Sequence, residues 1–261
     1  VPGIIPQPQP DIPDIPDIPD IPDNPINPPN PVEFHPGHVL YKKDKPSSNL
    51  DEFQSENPEA YKQSILTEAS YKYFQNTKGG GDTMYAQSLV EEYIHEKLGP
   101  GISVDWENST TDVLFTSDNN FTDSMDISIR GTQIGGGDME GNVRAKFGTY
   151  TESEKYKNIK KVAISAQEYH NINIETIGGH SAGGGAAHIL ADDVFPKAKA
   201  IGFNSSIPGD YKTKFKDSPT VHEEHRMTGD ALAPIMQKTA GISNGTRNWK
   251  INTYSHEHAT N

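Results

Sequence analysis

The chain has 261 residues, enough for one α/β domain with extensions, and 33% of them are apolar. It contains no cysteine, which excludes a disulfide-stapled scaffold, thiolate nucleophiles and cysteine metal sites. Its net charge of -13 argues against binding nucleic acid or anionic lipid through phosphates, and no apolar run is long enough to span a membrane.

Residues 1–32 form a low-complexity tail. Asp-Ile-Pro repeats from Asp11 to Pro22, and Asn24, Asn27 and Asn30 each precede a proline, so proline recurs at every third position. That period matches polyproline II, with prolines, isoleucines and aspartates on three separate faces. Residues 10–31 would span on the order of 65 Å at about 3.1 Å per residue. The isoleucine edge offers a binding strip, so the tail is expected to dock on another protein or on its own assembly. Residues 1–35 hold six acidic side chains and no Lys or Arg, which leaves -7 for the remainder; both parts are acidic.

Residues 33–57 read as a connecting segment, with His35 and His38 as loop histidines. Residues 58–261 read as the folded domain. Helices are expected over 58–76, opened by Pro58, and over 83–98, capped by Asp82 and closed by Gly99-Pro100-Gly101. Strands follow at 102–106, 112–116 and 126–130. A glycine-rich loop begins at Gln133, and an amphipathic helix covers 151–170. Strands at 172–177, 198–204, 222–227 and 249–254 complete the pattern. Alternating strands and helices predict an α/β fold: a mainly parallel sheet with helices on both faces.

The chemistry centres on Gly179-His180-Ser181-Ala182-Gly183, a G-x-S-x-G between the 172–177 strand and a helix that includes Ala186–Ala191. A strand, a tight glycine-flanked turn and a helix would expose the serine beside a helix N-terminus that favours negative charge. Ser181 is the candidate nucleophile. A serine hydroxyl does not ionise unaided, so a histidine must take its proton and an acid must orient that histidine. With the order Ser, acid, His, the acid is Asp230, just after the 222–227 strand. Asp192 and Asp193 on the helix, and Asp210 in a turn, are weaker candidates. The base is His258, with His256 as the alternative. His180 cannot readily reach its neighbour's hydroxyl, and His188, two turns along the helix, reads as packing. His222-Glu223-Glu224-His225 has histidines three apart on a strand, unlike the four-apart helical H-E-x-x-H of zinc proteases, so no metal is assigned.

With these residues in place, the chain resembles the class 3 (fungal-type) lipase family. Ser128-Ile129-Arg130-Gly131-Thr132 is similar to that family's hydrophobic-Arg-Gly-Thr/Ser segment. Gly179–Gly184 is similar to its G-H-S-L-G-G, Ile201–Ser206 to the strand that usually reads F-G-S-P, and His225–Pro234 to its acid-bearing segment. The resemblance covers roughly residues 80–260 and implies an α/β-hydrolase fold. It implies a serine ester hydrolase, lipase- or phospholipase-like, acting on a lipid or small ester without a cofactor. Thr132 and Ala182 would form the oxyanion hole. Two departures stand out. Residues 204–208 lack the usual proline-arginine pattern, and Gln133–Gly148 is glycine-rich and short of apolar residues where such lipases carry an amphipathic lid. Short-chain esters, or lipid presented by a partner, are therefore expected rather than bulk triglyceride. The repetitive tail suggests a second expectation, a structural or attachment protein on a virion or cell surface built on a hydrolase fold.

Overall fold

The computed structural model describes residues 50–131, 150–207, 218–228 and 248–255. The tail over 1–32 and most of the 33–57 segment lie outside these. Seven strands form one sheet in chain order: β1 (Ser103–Val104), β2 (Val113–Ser117), β3 (Ser124–Ile129), β4 (Asn173–His180), β5 (Lys199–Phe203), β6 (His222–Thr228) and β7 (Trp249–Ser255). The pairs β1–β2 and β2–β3 are antiparallel, and every pair from β3 to β7 is parallel. The chain is therefore α/β, with a mixed, mostly parallel sheet.

Five α-helices lie among the described residues: α1 (Leu50–Glu56), α2 (Pro58–Thr77), α3 (Thr83–Leu98), α4 (Glu154–His170) and α5 (Ala182–Asp193). Local chemistry sets their ends. Pro58 occupies the first turn of α2, where its missing N–H costs nothing. The Asp82 carboxylate accepts the N–H groups of Met84 (2.8 Å) and Tyr85 (3.2 Å) at the start of α3. The Ser153 hydroxyl accepts the Tyr156 N–H at the start of α4, and Asn171 closes that helix in a left-handed conformation. Regular structure begins earlier than the sequence suggests, because α1 precedes Asn57. Its Phe53 is buried against the His225 ring. The expected 102–106 strand shrinks to two residues, since the Asp105 carboxylate draws in the N–H groups of Glu107 and Asn108 and turns the chain.

Alternate strand residues face opposite sides, and the cores divide accordingly. Val113, Phe115, Ile127, Ile129, Ile177 and Ala200 pack with α4 and α5. Leu114, Ile201 and Phe203 pack with α1, α2 and α3 on the other face. Each fully buried Ile, Leu or Phe contributes roughly 1.5–3 kcal/mol. The helices α4 and α5 share a face, as successive crossovers of one hand require. In β4 the register slips, Met125 pairing with Ile174 but Ile127 with Ile177. One extra β4 residue thus brings both Ile174 and Ile177 to the α4/α5 face.

The α2 face is unusually polar. The Gln63 amide donates to the Thr176 hydroxyl and accepts from Ser128 Oγ (3.0 Å). Lys62 pairs with buried Asp126 at 2.7 Å, and Thr176 donates to the same carboxylate. These satisfied buried polar groups account for part of the low mean hydropathy of -0.71.

Candidate active site

Ser181 sits between the last residue of β4 and the first of α5, with φ 54° and ψ -122°. Positive φ is strained for any residue with a Cβ, at a cost of about 1–3 kcal/mol. Three backbone hydrogen bonds hold it there. Its N–H donates to the Phe203 carbonyl (2.9 Å), and its carbonyl accepts from Ser206 N (2.8 Å) and Gly185 N (3.1 Å). The flanking glycines are sterically required. A Cβ on Gly183 would overlap the Ile129 carbonyl oxygen and lie 2.8 Å from the Arg130 carbonyl carbon. A Cβ on Gly179 would overlap the Gly183 carbonyl and lie 2.8 Å from Gly184 N. The start of α5 thus presses directly on the chain leaving β3.

That chain is fixed by Arg130, which is 2% exposed. Its guanidinium reaches Asp112 Oδ1 (2.6 Å), the Thr111 carbonyl (2.9 Å) and the Gly131 carbonyl (3.0 Å), and lies 3.9 Å from the centre of the Phe74 ring. A guanidinium gripping backbone and carboxylate together holds the Arg-Gly segment rigidly. Thr132, the next residue but one, lies outside the described residues. Ala182 opens α5, where the first N–H groups lack intrahelical partners and face any developing negative charge.

His180 lies beside Ser181 in the chain but on the α2 side of the sheet. Its Nδ1 is 3.1 Å from the Tyr71 hydroxyl. Asp230, His256, His258 and Asp210 lie outside the described residues. The parallel strands β4 to β7 end at one edge of the sheet, so Ser181, Thr228 and Ser255 leave the sheet on the same side. Asp230 follows β6 by two residues, and His256 follows β7 directly.

Asp192 is at the far end of α5, about 15 Å along the helix from Ala182 at 1.5 Å per residue. It accepts from Ser218 Oγ and sits 3.1 Å from His222 Nε2, so it serves a different group. Asp193 ends the same helix. His188 is fully buried, and its role exceeds packing: Nδ1 meets His222 Nδ1 at 3.0 Å and Nε2 meets Glu224 Oε2 at 3.1 Å.

The source of these partners is β6, whose His222–Arg226 are all buried. His222 and Glu224 face α5. His225 faces the other side, ringed by Phe53 and Phe203, so the two histidines point apart as residues three apart on a strand must. Burial opposes ionisation of Glu223. The close approach of His225, Lys199 and Lys250 outweighs it and holds the carboxyl far below its usual range. Among the described residues, no group of three or more His, Asp or Glu side chains is arranged to hold a metal ion. The residue pattern marks β6 as a strand but does not reveal the network. The available signal was a run of ionisable residues on a strand that follows the apolar strand β5, where each buried charge must find a partner.

Burial pushes His222 down to about 4, against the opposing pull of Asp192. Above pH 6.5 the imidazole is neutral whether folded or unfolded. Between pH 6.5 and about 4 only the unfolded chain takes the proton, so stability falls as pH falls. The expected loss approaches roughly 3 kcal/mol across this window. Urea midpoints measured from pH 7 to pH 4 should decline, and His222→Gln should flatten that slope; a slope unchanged by the substitution would contradict this assignment.

No protein-family model matches the chain, and no similar curated protein or solved structure is found.

Proposed function

We propose that this chain is a serine ester hydrolase with an α/β-hydrolase fold, resembling the class 3 lipases. The observation that carries the reading is the strained Ser181 backbone at a strand-to-helix turn, wedged by Gly183 against the Arg130-Gly131 segment. Strain at a polar, half-buried side chain has no packing benefit and is characteristic of a functional position. In this mechanism Ser181 Oγ attacks the ester carbonyl carbon while His258, or His256, takes the hydroxyl proton. Asp230 orients the imidazole. The oxyanion is held by Thr132 and the Ala182 N–H, each such donor contributing about 3 kcal/mol in the transition state. The ester C–O bond breaks, and the histidine returns its proton to the leaving alkoxide. Water then attacks the acyl-serine, giving the carboxylic acid and free Ser181. The acidic, isoleucine-edged tail would tether this domain to a larger assembly.

The test is hydrolysis of p-nitrophenyl esters of increasing chain length, below and above the concentration at which each aggregates. Turnover on monomeric acetate or butyrate, with no jump on aggregation, is expected from the apolar-poor Gln133–Gly148 segment. Hydrolysis only of aggregated long-chain ester would overturn the substrate class, and no hydrolysis of any ester would overturn the activity.

A further inference from the structure

We propose that Glu224, held by His188, is a positioning residue for Ser181, acting through the turn that follows β5; this rests on the serine-hydrolase reading. Glu224 is fully buried on an interior strand. An ionised carboxylate there costs several kcal/mol in desolvation unless its partners compensate. Its two oxygens are used differently. Oε1 accepts the Ser205 backbone N–H at 2.8 Å, with Arg226 Nε at 3.6 Å. Oε2 meets His188 Nε2 at 3.1 Å.

The next peptide completes the link. Ser206 N–H donates to the Ser181 carbonyl, and Phe203 accepts the Ser181 N–H. The residues from Phe203 to Ser206 therefore grip both sides of the strained serine, and Glu224 anchors the middle of that turn. Asn204 N–H adds a bond to the His225 carbonyl at 2.9 Å. The carboxylate sits in space left by glycine. A Cβ on Gly202 would overlap Ser205 Oγ and Glu224 Oε2 and lie 2.5 Å from His188 Nε2.

Hydrogen-bond accounting orients the rest of the chain. Asp192 accepts from His222 Nε2, which leaves His222 Nδ1 as an acceptor for the His188 Nδ1–H. The buried contact of His188 Nε2 with Glu224 Oε2 completes the run. The unbroken run Asp192–His222–His188–Glu224 ties the far end of α5 to the turn against its N-terminus. The helix that begins at the serine is thereby locked at both ends.

The test compares Glu224→Leu with Glu224→Gln in the full chain. The measurement is modification of Ser181 by a fluorophosphonate, with limiting rate and half-saturating concentration separated. Leu removes the acceptor for Ser205 N–H, whereas the Gln carbonyl retains it. Glu224→Leu should lower the limiting rate about tenfold or more, with half-saturation unchanged. Glu224→Gln should stay within about threefold of the unaltered chain. A Leu variant as fast as the unaltered chain, or a Gln variant as slow as Leu, overturns the proposal. If the Leu variant does not fold, amide exchange in the unaltered chain decides. Ser205 and Ser206 should be protected like Phe203, and exchange as free as an open turn overturns the link. Failure of the hydrolase reading shows differently, as no modification of Ser181 in the unaltered chain.

Discussion

Ser181→Gly should raise stability while abolishing ester turnover. Serine at φ 54° and ψ -122° carries strain that glycine does not. Relief of about 1–3 kcal/mol is partly offset by about 0.5–1 kcal/mol of extra chain entropy that glycine gives the unfolded state. A net gain of about 1 kcal/mol should appear as a higher urea midpoint at unchanged slope. Turnover should fall by ~10⁴-fold or more, because the acyl-enzyme route is closed. Ser181→Ala makes the control: it also removes the hydroxyl but keeps a Cβ at positive φ, so it should lose turnover without gaining stability. A glycine variant less stable than the alanine variant would contradict the strain at this turn. A gain in stability on removing the Ser181 side chain is the trade-off that the proposed role predicts.

Gly183→Ala should be among the most damaging single substitutions in the chain. The added methyl meets the Ile129 carbonyl oxygen, the Arg130 carbonyl carbon and Gly131 N, all of them backbone. No side-chain rotation relieves such an overlap, so α5 must shift away from β3. Overpacking of this kind costs about 3 kcal/mol or more. It would also displace Arg130-Gly131 from the turn, so ester turnover should fall further than the stability loss explains. Gly101→Ala is the control, since nothing lies within 4 Å of a Cβ there. Urea melts of the two variants should differ by most of the predicted cost. Equal midpoints would mean that α5 does not pack on the end of β3.

Most of the fold was legible because hydrophobic period and turn chemistry agreed. Pro58, Asp82 and Gly99 marked helix ends that the structure places within a residue. The mainly parallel sheet followed from where helices interrupt the strands. Three features were not legible. Phe53 looked like part of a linker because its partners, Phe203 and His225, are some 150 or more residues away in sequence. The bulge in β4 lies hidden in a stretch, 172–177, whose pattern reads as a plain strand, and only pairing with β3 shows where the extra residue goes. The polar interior was the largest surprise. Gln63, Asp126, Thr176, His188 and Glu224 carry residue types that normally mark a surface, and only three-dimensional pairing permits their burial.

At the candidate site, the glycine spacing around Ser181 singled out the turn, but its backbone angles and its grip by Ser206 required coordinates. His188 was read as packing because its sequence position on an apolar helix face says nothing of Glu224 and His222 across the sheet. Thr132, Asp230, His256 and His258 lie outside the described residues, so their roles rest on chain order and family resemblance.

The most direct measurement is mass analysis of the folded full-length chain after exposure to a fluorophosphonate, followed by peptide mapping. A single phosphonyl adduct is expected, on the Ser181 hydroxyl, and none in Ser181→Ala. A folded chain that takes no adduct, or an adduct that persists in Ser181→Ala, would contradict it.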